Sequence, residues 1–271
     1  MDESTAHKTR DSRRPVALVT GASRGIGLAL TKVIARNGYD VVMVARQLDA
    51  LEAAAGMIEG KFGVRAIAIQ ADLSDDSTPA ELFDRIRSEG LDIEILVNNA
   101  GFGLGGEFLE TDLDRELDMI TVNIAAVTQL TKLFGAPMVR RHGGRIMNVA
   151  STAAFQPGPL MSVYYATKAY VLSFSQAIAE ELKDSGVTVT ALCPGATETD
   201  FAATAQISNT NLFKKIGVAD AAPIAEYGYR AMMRGDRIAI PSWRDKLMVQ
   251  SQRIAPRRLV TALVRKVQES R

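Results

Sequence analysis

Apolar runs with the length of strands recur along the chain, separated by longer stretches with the apolar spacing of helices. Several of the short runs are rich in β-branched residues and apolar at nearly every position. Such runs are typical of strands buried on both faces of a parallel sheet. The predicted strands are VALVT (16–20), DVVMVA (40–45), VRAIAIQ (64–70), IEILVN (93–98), GRIMNVA (144–150), VTVTALC (187–193) and RIAIP (237–241).

The stretches between these strands have the periodicity of helices that pack on a sheet. In the first of them, Ile26, Leu30 and Val33 share one helical face. The predicted helices are 25–36, 47–60, 79–89, 112–139, 161–184 and 220–234. This alternation predicts an α/β fold with a doubly wound sheet. With no repeat or linker in the sequence, we expect a single domain over 15–271, after a polar tail at 1–14 that we expect to be disordered.

Composition and charge narrow the classes of function. The chain of 271 residues is 47% hydrophobic and has a net charge of +1, so no global field attracts nucleic acid. A single cysteine, Cys193, excludes a disulfide scaffold and a cysteine-based zinc site. With only two histidines we expect no metal site. No apolar run approaches the roughly 18 residues of a membrane span, and we expect a cytoplasmic protein without a transmembrane segment.

A glycine-rich stretch, TGASRGIG (20–27), follows the first strand and opens the first helix. In that position glycines let the backbone approach a diphosphate, and the helix N-terminus offers N–H groups and a partial positive charge. No Lys-Ser or Lys-Thr follows, so this is not the P-loop pattern. On this motif alone, a tight structural turn remains the alternative.

A second group of polar residues lies in the later half of the chain. Of six tyrosines, only Tyr164 has a lysine, Lys168, four residues after it, which places both on one helical face. Ser151 follows the fifth predicted strand, and Asn123 falls in a predicted helix. Like Ser151, the stretches NNAG (98–101) and PG (194–195) come at the carboxyl ends of predicted strands, where open α/β sheets bind ligands.

Together these motifs resemble the short-chain dehydrogenase/reductase family. The resemblance rests on TGASRGIG, NNAG (98–101), PGATET (194–199) and the set Asn123, Ser151, Tyr164 and Lys168, and it covers nearly everything after the tail. It implies a Rossmann-type sheet of seven parallel strands with helices on both faces. It also implies a nicotinamide cofactor and a homodimer or homotetramer.

The resemblance assigns a role to each member of the catalytic set. Tyr164 is the general acid and base, and Lys168 lowers its pKa, which is about 10 in a free tyrosine. Lys168 also binds the nicotinamide ribose, and Ser151 donates a hydrogen bond to the developing oxyanion. Asn123 holds a water that links Lys168 to solvent. We interpret Tyr165, the next residue, as structural, and Cys193 as inert and buried.

The end of the second predicted strand indicates which nicotinamide cofactor binds. No carboxylate follows Ala45 to bind the ribose hydroxyls of NAD. Arg46 stands there instead, and Arg24 lies in the glycine-rich turn, so two guanidinium groups favour the 2′-phosphate of NADP(H). The alternative is that both are solvated surface charges. The other cofactor residues implied by the resemblance are Gly21, Ser23, Gly25, Ile26, Gly27, Asp72, Leu73, Asn99, Ala100, Gly101, Pro194, Gly195, Thr197 and Thr199, together with Tyr164 and Lys168.

Three loops are expected to contact the substrate: 102–108, 152–163 and 201–213, the last within a substrate loop at about 196–217. They contain no Arg or Lys, which favours an apolar, uncharged carbonyl or alcohol. We expect an NADPH-dependent carbonyl reductase. The alternatives are a non-catalytic NADP-binding sensor, an NAD-dependent alcohol dehydrogenase, and an epimerase or dehydratase, for which little chain follows Pro194.

The C-terminal segment, 244–271, carries eight Lys or Arg against two acidic residues. Val260, Leu263, Val264 and Val267 stand at helical spacing within it. We interpret the segment as a helix packed on its own domain or on a partner subunit. A helix lying on a membrane surface is the alternative.

Overall fold

The computed structural model describes residues 14–197, 219–252 and 254–269. Seven parallel strands form one sheet in the order β3-β2-β1-β4-β5-β6-β7. The predicted doubly wound sheet is therefore confirmed. The strands are β1 (Val16–Thr20), β2 (Asp40–Ala45), β3 (Ala66–Gln70), β4 (Ile93–Asn98), β5 (Gly144–Val149), β6 (Val187–Leu192) and β7 (Ile238–Ala239).

Helices cover both faces of the sheet. They are α1 (Gly25–Arg36), α2 (Leu48–Phe62), α3 (Thr78–Ser88), α4 (Leu113–Ile120), α5 (Val127–Arg140), α6 (Ser162–Glu181), α7 (Ala221–Arg234), α8 (Trp243–Ser251) and α9 (Arg257–Gln268). Successive residues of β1 face opposite sides: Val19 packs in the cluster that contains Leu30 of α1, and Leu18 packs in the cluster that contains Phe134 of α5. Burial on both faces explains why the strands are apolar nearly throughout.

Most predicted elements match within one to three residues at each end, and three show a difference with a clear physical reason. The predicted helix 112–139 is interrupted by a π-helical segment, Thr121–Ala126, between α4 and α5. The third strand begins two residues late because the backbone N–H of Arg65 donates to the side chain of Asp40 instead of joining the strand ladder (2.9 Å). The last strand shortens to Ile238–Ala239 because it pairs at the sheet edge with only two residues of β6.

One continuous helical stretch, Leu113–Arg140, comprises α4, the π-helical segment and α5. Its length and mean hydropathy of 1.2 would allow it to cross a membrane, and half of its most apolar window is buried in the protein. Leu130, Phe134 and Met138 in this stretch pack against the sheet. The stretch therefore packs as a core helix of this fold.

A chain of buried polar side chains links the centre of the sheet to two helices. Asn98 and Asn148 lie side by side in the register of β4 and β5, and the Asn98 amide donates to the Asn148 side-chain oxygen (2.8 Å). Asn98 also donates to Thr131 of α5 (3.0 Å), and Asn148 donates to Ser175 of α6 (2.9 Å). These bonds fix the ends of β4 and β5, where predicted site residues follow.

Candidate active site

A cavity of about 790 Å³ opens along the carboxyl ends of the strands. It includes the position between β1 and β4 where the strand order reverses, which is where sheets of this kind bind ligands. Most of the predicted site residues line it: Gly21, Ser23, Arg24, Gly25, Ile26, Arg46, Asp72, Leu73, Asn99, Ala100, Gly101, Ser151, Tyr164, Lys168, Pro194, Gly195 and Thr197. Gly27 and Asn123 are not part of the lining, and Thr199 lies outside the described residues.

The glycine-rich turn is held tightly between β1, α1 and the end of β4. Gly21 and Gly25 have φ angles of 65° and 57°, a region that favours glycine. A methyl group on Gly27 would lie 2.1 Å from the Gly21 carbonyl oxygen, so this contact requires glycine. The Asn99 amide donates to the carbonyls of Thr20 (2.9 Å) and Gly21 (3.2 Å). The turn presents the N-terminus of α1 to the cavity and fits a diphosphate.

The far end of the turn carries two cations. The side chains of Arg24 and Arg46 are exposed, and both line the cavity. No carboxylate follows β2, since Arg46 and Gln47 come directly after Ala45. Asp72 is engaged in its own turn, because its carboxylate accepts from the N–H (3.0 Å) and the hydroxyl (2.8 Å) of Ser74. This end of the cavity suits a phosphate group better than a bare ribose.

The catalytic set meets at the ends of β5 and α6. Tyr164 and Lys168 lie one turn apart on α6, both buried, with the Lys168 ammonium 5.8 Å from the centre of the Tyr164 ring. The ammonium donates to the Val149 carbonyl (2.9 Å), which anchors it to the last residue of β5. Ser151 hydrogen-bonds the Tyr164 phenol. The structure therefore brings these three predicted residues together.

Asn123 lies in the π-helical segment next to Lys168. A methyl group on Gly101 would lie 2.8 Å from Asn123 Oδ1 and 3.5 Å from Lys168 Nζ, so the three residues are neighbours. The Asn123 amide group donates to the Phe102 carbonyl and to the Thr167 hydroxyl, both at 3.0 Å. Both of its N–H donors are thus taken by protein atoms. Only Oδ1, which accepts from the Phe102 N–H (3.2 Å), keeps spare hydrogen-bonding capacity.

Burial controls the protonation of the catalytic pair. Burial raises the pKa of Tyr164 well above its ordinary value, although the hydrogen bond from Ser151 opposes this shift. The expected net lowering of the Tyr164 pKa is therefore wrong, because burial outweighs the interactions that favour the phenolate. Burial also lowers the pKa of Lys168 to about 8. The physical reason is the loss of hydration, which disfavours the charged form of each group. Tyr164 consequently keeps its proton at neutral pH.

Cys193 follows β6 in the centre of the protein. The thiol is fully buried, and burial raises its pKa to about 12. A thiol with so high a pKa is neither a nucleophile nor a metal ligand at neutral pH. The prediction that Cys193 is buried is confirmed, and the raised pKa of its thiol agrees with the prediction that it is inert.

The substrate end of the cavity is covered by the C-terminal helices, which the sequence analysis did not assign to the site. Met248 of α8 and Val260, Val264 and Val267 of α9 line the cavity. Val264 packs with Met161 and with Tyr164 and Tyr165, and Arg265 pairs with Glu107 (2.5 Å), so α9 packs on its own domain as interpreted. The apolar spacing in α9 was the signal for this contact.

Two of the three predicted substrate loops reach the cavity. Phe102 and Met161 line it, whereas residues 201–213 and most of the loop at 196–217 lie outside the described residues. Tyr165 also lines the cavity. Its ring meets that of Tyr164 edge to face, with centroids 6.1 Å apart, and its hydroxyl accepts from Gln268 (2.7 Å). These packing contacts agree with the interpretation of Tyr165 as structural, which stays a prediction.

Comparison with known proteins places this geometry in a family. A family model described as short chain dehydrogenase matches residues 15–209. The chain belongs to the short-chain dehydrogenase/reductase family. Short-chain dehydrogenases/reductases are oxidoreductases that bind a nicotinamide cofactor, and the observed sheet is the fold expected from the resemblance.

This short-chain dehydrogenase/reductase is similar to curated enzymes from animals. It is 38% identical over 184 residues to a very-long-chain 3-oxoacyl-CoA reductase from Anas platyrhynchos, an alignment that covers 66% of this chain and 58% of the relative. It is also 38% identical over 183 residues to 17-beta-hydroxysteroid dehydrogenase type 3 from Mus musculus, with the same two coverages. The chain thus matches less than two thirds of the length of either relative.

A solved structure matches most of this short-chain dehydrogenase/reductase. It is a short-chain dehydrogenase from Sphingobium yanoikuyae in complex with NADPH, 33% identical, with a TM-score of 0.80. The match covers 89% of this chain and 94% of the other. The family model, which matches residues 15–209, spans both the glycine-rich turn and the catalytic set.

Proposed function

We propose that this short-chain dehydrogenase/reductase uses NADPH to reduce the carbonyl group of an apolar, uncharged small molecule, with Tyr164 as the proton donor. The observation that carries the proposal is the buried Tyr164 phenol, which is hydrogen-bonded by Ser151 and lies between the glycine-rich turn and an apolar wall. A phenol in that position can give its proton to an oxygen that gains negative charge.

The choice of NADPH rests on the residues at the far end of the turn. Arg24 and Arg46 would hold the 2′-phosphate, and the N-terminus of α1 with Gly21 and Gly25 would hold the diphosphate. The solved relative from Sphingobium yanoikuyae, which binds NADPH, supports this choice. When bound, the cofactor supplies the hydride.

The chain's own residues supply the proton and stabilise the charge on oxygen. The Ser151 hydroxyl and the Tyr164 phenol both donate to the carbonyl oxygen as it gains charge. The Tyr164 proton then moves to that oxygen. The Lys168 ammonium, held by the Val149 carbonyl, favours the phenolate that remains. Because Tyr164 and Lys168 are both buried, water does not weaken these interactions.

The same electrostatics favour reduction over oxidation. Oxidation of an alcohol needs the Tyr164 phenolate as a base, whereas reduction needs the neutral phenol as an acid. Burial raises the pKa of Tyr164, so the neutral phenol predominates at neutral pH. At neutral pH the protonated Tyr164 is thus ready to act as the acid that carbonyl reduction needs, which supports the proposed reduction.

The proposed substrate class follows from the wall of the cavity. Among the described lining residues, charge is confined to Lys168 and to three residues at the adenosine end, Arg24, Arg46 and Asp72. An acyl-CoA carries several phosphate charges, and these residues offer its tail no cation beyond the cofactor site. A steroid-like ketone has an apolar body and no charge. The relative named for a hydroxysteroid is therefore the better guide to the substrate than the one named for an acyl-CoA.

A cofactor-consumption assay tests the proposal. Loss of NADPH absorbance is followed with cyclic and open-chain ketones and with keto acids of matched size. We expect turnover of the apolar ketones and much slower turnover of the keto acids.

Tyr164→Phe should lower kcat by about 10²–10⁴-fold, the usual share of general acid catalysis, with nearly unchanged NADPH affinity. Tyr170→Phe, which removes an exposed phenol of α6, is the matched control. A Tyr164→Phe enzyme that retains the parent rate would contradict the proposed role.

A further inference from the structure

Four polar side chains interrupt the apolar wall at the substrate end of the cavity. Gln156 lies in the loop between β5 and α6, and Tyr165 lies on α6. Gln252 directly follows α8, and Gln268 is the last residue of α9. All four line the cavity together with Tyr164. We call Gln156, Tyr165, Gln252 and Gln268 the glutamine cluster.

Hydrogen bonds fix the members of the glutamine cluster to one another. The Gln268 amide donates to the Tyr165 hydroxyl (2.7 Å), and the Gln156 side chain also hydrogen-bonds that phenol. The Gln252 amide donates to the side-chain oxygen of Gln156. The cluster therefore connects α6, α8 and α9 and has a defined geometry before any substrate binds.

Two oxygens of the cluster are buried without a partner. Within the part of the chain that the structure describes, the side-chain oxygens of Gln252 and Gln268 accept no hydrogen bond. Gln268 is only 3% exposed. A buried amide oxygen that has lost its hydration is unfavourable unless a donor replaces the water. Two such acceptors in the wall of one cavity point to a donor on the ligand.

We propose that the substrate carries a second polar group besides the carbonyl that is reduced: an uncharged hydrogen-bond donor, either a hydroxyl or an amide N–H. This donor binds to the side-chain oxygen of Gln252 or of Gln268. The group is uncharged because the one carboxylate among the described lining residues, Asp72, lies at the adenosine end and could not balance an ammonium here. The inference rests on the proposed function and deepens it.

The cluster also orients the substrate. Tyr165 directly follows the proton donor Tyr164, and their rings touch edge to face. A donor held by Gln268 is therefore fixed relative to the Tyr164 hydroxyl through one rigid turn of α6. The apolar side chains of Val260, Val264 and Val267 on α9 cover the body of the substrate between these two polar points.

Three ketones that share one apolar skeleton test the inference. The first carries a hydroxyl remote from the carbonyl, the second a hydrogen at that position, and the third a methoxy group. kcat/KM is measured with NADPH, and the dissociation constant of each ketone is measured by calorimetry with the full chain. We expect the hydroxy ketone to be preferred over both others by about tenfold or more, mainly through a lower KM.

Variants assign this preference to the cluster. Gln268→Met and Gln252→Met each remove one acceptor, and the variant that removes the acceptor bound by the substrate should bring the ratio of hydroxy to deoxy ketone close to one. Gln250→Met, on the exposed side of α8, is the matched control and should keep the parent ratio. Circular dichroism checks that each variant folds, and Gln268→Glu and Gln252→Glu, which keep an acceptor oxygen, replace a methionine variant that does not fold.

Several outcomes would overturn the inference. Equal kcat/KM for all three ketones would mean that a water satisfies the two oxygens. Equal preference for hydroxy and methoxy ketones would mean that an acceptor is recognised. A ratio unchanged in both cluster variants would place the recognition elsewhere. If no ketone is turned over, the proposed function fails, whereas calorimetric preference for the hydroxy ketone would still support the inference.

Discussion

Lys168 is buried, and within the described part of the chain its ammonium donates a single hydrogen bond, to the Val149 carbonyl. Burial therefore lowers its pKa to about 8, close to the working range of the enzyme. The pKa of Tyr164 shifts upward, so Tyr164 keeps its proton over the pH range in which Lys168 titrates. The charge that limits the reaction at alkaline pH is consequently that of the lysine.

We predict a single alkaline limb in the pH profile of kcat/KM for carbonyl reduction. Lys168 is protonated below its pKa of about 8 and neutral above it, so the rate should fall as pH rises through that value. Lys168→Arg keeps a charge that does not titrate, and the limb should disappear from its profile even if the maximal rate is lower. An unchanged limb in this variant would assign the titration to another group.

Arg46 offers a direct test of the cofactor assignment. Arg46→Asp removes a charge-assisted contact worth roughly 1.5–3 kcal/mol. At one decade per about 1.4 kcal/mol, NADPH binding should weaken about 10- to 150-fold, whereas NADH, which lacks the phosphate, should lose little. Fluorescence titration of both cofactors gives the ratio.

Arg87→Asp makes the same charge change on exposed α3, away from the cavity, and is the control for Arg46→Asp. Equal weakening of both cofactors in Arg46→Asp would show that Arg46 supports the fold rather than the phosphate. A parent enzyme that prefers NADH would contradict the assignment of NADP(H) itself.

The turn between β1 and α1 requires glycine at position 27 for lack of space rather than for its backbone angle. Gly27 does not have a positive φ angle, but a methyl group there would lie 2.1 Å from the Gly21 carbonyl and 2.4 Å from the Asn99 amide. The helix and the turn can approach this closely only without a side chain.

We predict that Gly27→Ala opens the turn. NADPH affinity should fall on the order of tenfold or more, because a loss of about 1.4 kcal/mol already has that effect, and the melting temperature should fall as well. Gly60→Ala in α2, where nothing lies within 4 Å, is the control. It should stabilise the helix by about 0.5–1 kcal/mol and leave cofactor affinity unchanged. If Gly27→Ala bound NADPH as tightly as the parent, the glycine-rich turn would not be the site that holds the diphosphate.

The elements that the sequence predicted well are those whose pattern is local. The strands of the sheet are apolar on both faces, and the spacing of Tyr164 and Lys168 within one helix determines that they face the same way. The position of α8 and α9 over the substrate end of the cavity was not predictable in this way. The contact between Tyr165 and Gln268 joins residues 103 positions apart, and no periodicity states which cavity the apolar face of α9 covers. The π-helical segment at Asn123 was missed because it changes the helical register without changing the apolar pattern.

As a whole molecule, the protein carries exposed apolar side chains on the helices that flank the catalytic set. Leu113 and Leu117 on α4 and Tyr170 on α6 are exposed, and Tyr170 stacks on Phe174 (centroids 5.6 Å apart). An apolar surface of this kind is typical of contacts between subunits. It adds a physical reason to the homodimer or homotetramer that the family resemblance implies.

We predict that light scattering at micromolar concentration gives a mass of two or four times 29.3 kDa. Leu117→Glu places a charge in the apolar surface of α4 and should lower the mass toward that of the monomer. Met57→Glu, an exposed position on α2, is the matched control and should leave the mass unchanged. A monomeric parent would contradict the prediction, and a dimer that survives Leu117→Glu would place the interface elsewhere.

The asparagine pair at the centre of the sheet has a consequence for how the chain folds. If β5 slid by one residue along β4, Asn148 would turn to the opposite face, since side chains alternate along a strand, and would lose its hydrogen bonds to Asn98 and Ser175. Each misaligned sheet would then bury unpaired amides in the most apolar part of the protein. Asn98 and Asn148 thus make shifted alignments of β4 and β5 unfavourable while the sheet assembles. Replacing both asparagines with leucine would leave the native alignment possible. It would also reduce the free-energy difference between that alignment and one in which β5 is shifted by a residue.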